Sequence, residues 1–373
     1  MNEQRDNQTL NVKQLIMNNS LADDFTLKSR TIEHCVICGS QSKVIREGMT
    51  DRLADAPGIW SHRQCVSPEC RLVWLDPMPD ADDIGILYRG YGINKSGLTY
   101  QRRTQMSRIW NAVAESVERK QLGGTAQAGL CNGNLEKITQ FVANFFPEFQ
   151  IVKRTFGERV HWVEKALDTR KLLDVGCGGG GLMQRLIHQG WDVTGIEPDP
   201  SAADQARRLG LKVIDGTVET ALTQSDQFEA VTMQHVLEHL PNPLATLKSI
   251  SSHMATAGRL HITTPNHRSL CQSLLKDRWL GWDAPRHLYI FDARSVKKIV
   301  EAAGFRIVDF WTCPRMSSWL VKISPNPREF TGPQARKPTA FVSCCSGAVR
   351  CVEEVTSRLI NNGEELVIVA EKR

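Results

Sequence analysis

A glycine-rich turn that follows an apolar run is the feature of this sequence with the clearest chemical meaning. Residues 172–175 are apolar enough for a buried strand, and a helix is predicted over 182–189. Between them stand Gly176, Gly178 and Gly180. Glycine accepts positive φ and lets a ligand approach the backbone, while the free N–H groups of a helix N-terminus bind polar and anionic groups. The segment therefore predicts a turn that binds a nucleotide cofactor.

An acidic residue after the next strand strengthens that prediction. The run 191–196 is typical of a second strand, and Glu197 follows it about 20 residues after the turn, where a ribose-binding carboxylate belongs. A carboxylate accepts two hydrogen bonds from a cis-diol, and such charge-assisted bonds are strong. A dinucleotide is the alternative ligand. However, this sequence has glycine at every second position of the turn and Asp174 inside the first strand, unlike the pattern G-x-G-x-x-G.

With these features the chain resembles the class I S-adenosylmethionine-dependent methyltransferases. The resemblance implies that the glycine turn faces the methionine part of the cofactor, that Glu197 holds both ribose hydroxyls, and that Asp174 steadies the turn and faces the cationic end. It also implies an adenine-contacting loop after a third strand at 211–214. The expected cofactor-binding residues are Asp174, Gly176, Gly178, Gly180, Glu197, Asp215, Gly216, Thr217 and Gln234.

The end of a fourth predicted strand, at 228–233, carries the catalytic candidates. The Leu-Glu-His run at 237–239 is similar to one in the subgroup that methylates quinones, sugars and other small metabolites. Methyl transfer is an in-line displacement at a sulfonium, so the enzyme must align the nucleophile and remove its proton where it has one. Histidine suits that task at neutral pH, and the candidates are His235, His239 and His287.

Two alternatives stay open for these histidines. In quinone O-methyltransferases the corresponding segment resembles Glu-x-x-Glu-His and can hold a divalent metal, whereas here His235 and His239 flank Glu238. A histidine that is bonded to the backbone and does no chemistry is the structural alternative.

An insertion at 267–291 is expected to lie near the acceptor. Its Pro-Arg-His-Leu element, 285–288, is similar to a segment near the acceptor site of the same subgroup. Loops of this kind commonly carry binding residues. Arg286 either binds the acceptor or pairs with an acid such as Asp283 in a loop packed by its tryptophans.

The alternation of predicted strands and helices indicates the fold class. A fifth strand is predicted at 258–266, an amphipathic helix at 293–303, and closing strands at 305–310 and 365–370. This order predicts an α/β fold with a doubly wound parallel sheet and the ligand at the carboxyl ends of the strands. The resemblance makes it a Rossmann-like, seven-stranded sheet.

Four cysteines near the start of the chain predict a zinc-ribbon-like module. The sequence has 11 cysteines, which in an apparently cytoplasmic chain argues against a disulfide framework. Cys35 and Cys38 form a metal-binding knuckle, and Cys65 and Cys70, although four residues separate them, would complete four thiolate ligands. His34 and His62 are substitute ligands, and four buried free thiols are the alternative.

The segment after the second cysteine pair resembles the N-terminal ribbons of sugar C-methyltransferases. An apolar run is followed by Asp-Pro-Met-Pro at 76–79, as in those ribbons. Their glycine after the second knuckle is replaced by Arg71 here.

We expect more than one domain in 373 residues. Tyr88, Tyr91 and Tyr100 either line the acceptor site or belong to a core. The predicted divisions are a polar tail at 1–30, the ribbon-like module at 31–80, a helical linker or lid at 81–168, and the methyltransferase domain at 169–373 with acceptor-site insertions at 267–291 and 313–362.

Composition narrows the choice of partner. The net charge is only +5 and no basic stripe with interleaved aromatics is present, so nucleic acid is disfavoured. No apolar run is long enough to span a bilayer and no signal peptide is evident, which predicts a cytoplasmic protein. The predicted function is methylation of a small metabolite such as a sugar, quinone or polyketide. The alternatives are an RNA methyltransferase with a zinc ribbon and a non-catalytic cofactor-binding protein.

Overall fold

The structure, a computed structural model, describes residues 27–54, 56–88, 169–330 and 339–373. The predicted polar tail lies almost entirely outside these residues. Most of the predicted helical linker does so too, including Tyr91 and Tyr100.

Thirteen strands and nine α-helices form the described part of the chain. The strands are β1 (Ser29–Arg30), β2 (Ser42–Met49), β3 (Trp60–Cys65), β4 (Val73–Asp76), β5 (Met78–Pro79), β6 (Lys171–Val175), β7 (Asp192–Glu197), β8 (Lys212–Asp215), β9 (Phe228–Gln234), β10 (Met254–Pro265), β11 (Tyr289–Ile290), β12 (Phe305–Cys313) and β13 (Glu365–Lys372). The helices are α1 (Gly181–His188), α2 (Pro200–Arg208), α3 (Val218–Ala221), α4 (Pro243–Ser252), α5 (Leu270–Leu275), α6 (Ala293–Ala302), α7 (Ser317–Ile323), α8 (Pro327–Phe330) and α9 (Ala340–Ile360). Short 3-10 helices lie at Ala81–Tyr88, Leu237–His239, Lys276–Arg278 and Leu280–Trp282.

Seven strands form the central sheet in the order β12-β13-β10-β9-β6-β7-β8. All neighbours are parallel except β13, which runs antiparallel to both β10 and β12. The predicted doubly wound sheet is confirmed, with this one strand reversed. The strand order changes direction at β6, because β7 and β9 lie on its two sides. A crevice at such a switch point is where ligands bind in sheets of this kind.

The cysteine-containing segment builds a second sheet onto this core. Its four strands have the order β11-β4-β3-β2, and β11 belongs to the predicted insertion at 267–291. We call the described residues before position 89 (27–54 and 56–88) the N-terminal segment. One continuous apolar core contains Trp74 and Leu75 of this segment together with Leu288 and Phe291 of the insertion. The N-terminal segment therefore packs directly on the acceptor-side insertion.

The packing of the glycine turn against Leu211 can be tested by substitution at Gly180. Gly180 is the N-cap of α1 with φ 80°, and a Cβ atom there would lie 2.1 Å from Leu211 Cδ1. We expect Gly180→Ala to lower the free energy of unfolding by about 2–4 kcal/mol, from the left-handed backbone and from overpacking. Gly181→Ala is the matched control, because nothing lies within 4 Å of its Cβ position. Equal urea midpoints for the two variants would contradict the packing.

Candidate active site

The glycine turn and Glu197 are joined by hydrogen bonds. The Gly178 N–H donates to Glu197 Oε2 at 2.7 Å, and the Asp199 N–H donates to Oε1 at 2.9 Å. Gly178 has φ 54° and nothing within 4 Å of a Cβ position, so one side of the turn is open. Each carboxylate oxygen keeps a second lone pair. The turn thus fixes Glu197 at the end of β7 and leaves it able to accept two ribose hydroxyls.

Asp174 carries an unsatisfied acceptor beside the turn. Thr232 Oγ1 donates to its Oδ1 at 2.6 Å, while Oδ2 is buried without a hydrogen-bond partner among the described residues. Burial raises the pKa of Asp174 to about 7, with the Thr232 hydrogen bond opposing it. A cationic amino group would supply the missing donor and favour the ionised carboxylate. The residues present therefore fit S-adenosylmethionine, whose amino acid end carries such a group.

The other predicted cofactor residues lie at the ends of β8 and β9, on the same edge of the sheet as Glu197. The Gly216 N–H donates to the Glu197 carbonyl at 3.1 Å. Thr217 caps α3, and Asp215 is exposed and 2.5 Å from Arg207 in an ion pair. Gln234 is the half-buried last residue of β9. Adenine contact by these residues stays a prediction.

His235 is held between two carboxylates. Its Nε2 lies 2.7 Å from Glu365 Oε1 and its Nδ1 lies 3.3 Å from Glu238 Oε1. Burial lowers the pKa of His235, but the hydrogen bonds with Glu238 and Glu365 outweigh it and raise the pKa to about 9. A protonated imidazole cannot accept a proton. This geometry disfavours the predicted role of His235 as a base and favours a structural role.

The two acids around His235 are themselves ionised. Burial would raise the pKa of Glu238, but the His235 contact and nearby imidazoles lower it to about 2. Thr264 Oγ1 also donates to Glu238 at 2.9 Å. Arg315 donates to both oxygens of Glu365, at 2.7 and 3.1 Å. His235, Glu238, Glu365 and Arg315 therefore form a network of paired charges.

His239 and His287 form a different pair, with ring centroids 4.7 Å apart. His239 Nδ1 lies 2.9 Å from the Arg286 carbonyl, and His287 Nδ1 lies 2.8 Å from the Gly281 carbonyl. A carbonyl oxygen only accepts, so each Nδ1 carries a proton and donates it to that carbonyl. Burial and the neighbouring His287 lower the pKa of His239 to about 4. His239 is therefore neutral at pH 7 and able to accept a hydrogen bond or a metal.

Glu238, His239 and His287 could together hold a cation, since one ligand atom from each lies within 4.8 Å of the others. The sequence suggested a metal on His235, Glu238 and His239. In the structure His287 takes the place of His235, because His235 faces Glu365.

Tyr88, from the N-terminal segment, reaches the same pair. Its hydroxyl lies 3.0 Å from His239 Nδ1, and the two rings meet edge to face. Of the two roles considered for Tyr88, a place in the candidate acceptor site is the one this contact favours.

Arg286 does not face an acceptor. Its side chain is fully buried between Asp51 and Asp283, with Asp51 accepting at 2.7 and 2.8 Å and Asp283 at 2.7 Å. The alternative of pairing with Asp283 is the one observed. Sequence reasoning missed Asp51, which is 235 residues distant and lies in a loop without a recognisable motif. Arg286 contacts His239 through its backbone carbonyl, and its Nη1 donates to the carbonyl of Leu87, the residue before Tyr88, at 3.2 Å.

The four predicted zinc ligands meet in space. Cys35 Sγ lies 3.6 Å from Cys70 Sγ, Cys38 Sγ lies 3.5 Å from Cys65 Sγ, and all four atoms lie within 4.8 Å of one another. Such separations fit a tetrahedral thiolate site.

The two knuckles have similar backbone geometry. Arg71 has φ 57°, close to the 70° of Gly39, so the second knuckle makes its left-handed turn without glycine. The two substitute ligands lie outside the cluster of thiols. His62 packs against the Trp282 ring instead, at a centroid distance of 5.0 Å.

Comparison with known proteins assigns the family. A model described as a methyltransferase domain matches residues 137–309. The chain is 31% identical over 200 residues to a ubiquinone biosynthesis O-methyltransferase of Aeromonas salmonicida, covering 48% of this chain and 84% of that protein. The chain belongs to the class I S-adenosylmethionine-dependent methyltransferases. The predicted family, cofactor and α/β fold of this methyltransferase are thereby confirmed.

Further relatives and structures are similar to this methyltransferase. It is 32% identical over 171 residues to the ubiquinone biosynthesis O-methyltransferase of Xanthomonas oryzae, covering 43% of this chain and 66% of that protein. A SAM-dependent methyltransferase structure from Archaeoglobus fulgidus aligns at 18% identity and TM-score 0.39, covering 63% of this chain and 99% of that one. A Thermotoga maritima methyltransferase structure aligns at 16% identity and TM-score 0.39, covering 63% and 97%. Within the described ranges of this methyltransferase, no helix is long and apolar enough to cross a membrane.

The buried Arg286 predicts a strong effect on stability. Arg286→Met leaves Asp51 and Asp283 buried without their cation, which should lower the free energy of unfolding by about 3–5 kcal/mol in urea titrations. Replacing all three residues by neutral ones (D51N/R286M/D283N) should recover much of that loss. Arg294→Met is the control, because Arg294 also links two segments, at 2.6 Å from the Pro68 carbonyl, but is exposed. An Arg286→Met loss as small as the control's would contradict this assignment.

The charge on His235 predicts a pH dependence of stability. The pKa of His235 is raised to about 9 in the folded state, against about 6.5 in the unfolded chain. Its contribution to the free energy of unfolding is therefore complete below pH 6.5 and is lost as pH rises through 9. The difference in unfolding free energy between wild type and His235→Gln should therefore shrink between pH 6.5 and 9.5. A difference independent of pH over that range would show that His235 is neutral.

Proposed function

We propose that this methyltransferase transfers a methyl group to a hydroxyl of a small, quinone-type acceptor. The observation that carries the proposal is the pair His239 and His287 beside Glu238, in which the neutral His239 is held through Nδ1 by the Arg286 carbonyl and is contacted by Tyr88. The relatives named as ubiquinone biosynthesis O-methyltransferases, at 31% and 32% identity, support the acceptor class.

S-adenosylmethionine supplies the methyl group. The chain's own residues must bind the cofactor, align the acceptor hydroxyl with it and remove the proton of that hydroxyl. Glu197 would accept the ribose hydroxyls and Asp174 Oδ2 the amino group of the cofactor. His239 Nε2 would accept the hydrogen bond of the acceptor hydroxyl and then its proton, while the Arg286 carbonyl holds the ring in one orientation. A divalent cation on Glu238, His239 and His287 is the alternative to this role, because it would occupy the single free lone pair of His239 and would itself acidify the hydroxyl.

The insertion at 267–291 belongs to the acceptor side in this proposal. It provides His287, the Gly281 carbonyl that orients it, and the Arg286 carbonyl that orients His239. The N-terminal segment contributes Tyr88 to the same place. We further propose that the four thiols bind a structural zinc ion and that the enzyme acts in the cytoplasm, where thiols stay reduced.

Cofactor binding is tested at Glu197. Glu197→Ala should weaken S-adenosylhomocysteine binding by roughly 1.5–3 kcal/mol in calorimetry, since two charge-assisted hydrogen bonds are lost. Asp204→Asn, an exposed position paired with Arg207, serves as control and should bind normally. Tight NADH binding without S-adenosylhomocysteine binding would refute the cofactor assignment.

Catalysis is tested at His239. With a hydroxybenzoquinone as acceptor, His239→Ala should lower turnover by roughly 100-fold or more while S-adenosylhomocysteine affinity changes by a few fold at most. An equal loss of both would mean a structural histidine. If turnover were unchanged in His239→Ala and in His287→Ala, alignment alone would account for the reaction.

A further inference from the structure

A second cluster of metal-ligating side chains lies apart from the candidate active site. Cys271 of α5, Glu353 of α9 and Glu364, which precedes β13, each place one ligand atom within 4.8 Å of the others. Their side chains are almost completely buried, at 0%, 0% and 1% exposure. Glu365, the next residue, faces His235 and is not part of this cluster.

Each carboxyl group of this cluster has one satisfied and one unsatisfied oxygen. Glu364 Oε1 accepts from Trp279 Nε1 at 2.7 Å, and Glu353 Oε2 accepts from the Ser317 hydroxyl and lies 3.9 Å from Cys271 Sγ. Glu353 Oε1 and Glu364 Oε2 are buried without a hydrogen-bond partner in the described part of the chain. Buried polar atoms in folded proteins are nearly always bonded, so these two oxygens call for a missing partner.

The charge of the cluster points in the same direction. Among the described residues, no ion pair engages Glu353 or Glu364, and no hydrogen bond joins the two carboxyl groups. A buried carboxylate without a cation costs several kcal/mol, and two acids that shared a proton would be hydrogen-bonded to each other. A bound cation satisfies both the charge and the two free oxygens.

We propose that Cys271, Glu353 and Glu364 bind a zinc ion. A thiolate excludes magnesium and calcium as the preferred ions, and zinc accepts mixed sulfur and oxygen ligands. The ion would fasten α5 and α9 to the segment that enters the central sheet.

The experiment is metal analysis of the purified full-length protein and its variants after gel filtration. Cys271→Ser and Glu364→Gln should each contain about one zinc per chain less than wild type, and Cys38→Ser, which damages the four-thiol cluster, should lose a separate equivalent. Cys313→Ser is the matched control, because Cys313 is a buried thiol that belongs to no metal-ligating group among the described residues. It should retain the wild-type zinc content.

Zinc contents of Cys271→Ser and Glu364→Gln equal to that of Cys313→Ser would overturn the proposal and show that the two carboxyl groups are protonated instead. Glu364→Gln preserves the shape of the side chain, so the comparison holds even if the cysteine variant fails to fold. Loss of metal from Cys38→Ser alone would also refute the second site while leaving the ribbon assignment intact.

Discussion

The fully buried guanidinium of Arg286 is the interaction on which the arrangement of this methyltransferase depends. A charge removed from water must be matched within the protein, and here two carboxylates match it, Asp283 from the same loop and Asp51 from the N-terminal segment. Separating the two segments would break the Arg286–Asp51 pair and leave Asp51 without its cation. The ion triad therefore obliges the N-terminal segment to stay on the insertion, and the β4–β11 pairing continues the same contact.

The buried Arg286 also positions the candidate catalytic histidine His239, through its backbone carbonyl. The carbonyl of Arg286 accepts from His239 Nδ1, which fixes the tautomer and leaves Nε2 as the nitrogen with a free lone pair. Tyr88 arrives at the same ring from the N-terminal segment. In the proposed site the acceptor side carries the neutral His239 and its neighbour His287, whereas the cofactor side carries the acids Asp174 and Glu197. Such a division suits a reaction in which a cationic cofactor meets a neutral acceptor that must lose a proton.

Local sequence patterns were enough to predict the residues on the cofactor side of the site, but few of the contacts on the acceptor side. The glycine turn and Glu197 could be predicted because strand, turn and acid lie within one β-α-β unit. The knuckle at Cys35 was equally local, while the left-handed Arg71 that completes the second knuckle could not be foreseen, since arginine rarely adopts positive φ. His235 was considered a base because it lies at the end of the fourth predicted strand. Its partner Glu365 is 130 residues away and became visible only in the folded chain. Asp51 and the buried acids Glu353 and Glu364 were missed for the same reason.

A crystal structure with S-adenosylhomocysteine bound tests the account most directly. The account predicts that both ribose hydroxyls lie within hydrogen-bond distance of Glu197 and that the amino group bonds Asp174 Oδ2. It further predicts that the sulfur faces the Nε2 atoms of His239 and His287. A ribose held by another acid, or a sulfur that faces away from the two imidazoles, would contradict it.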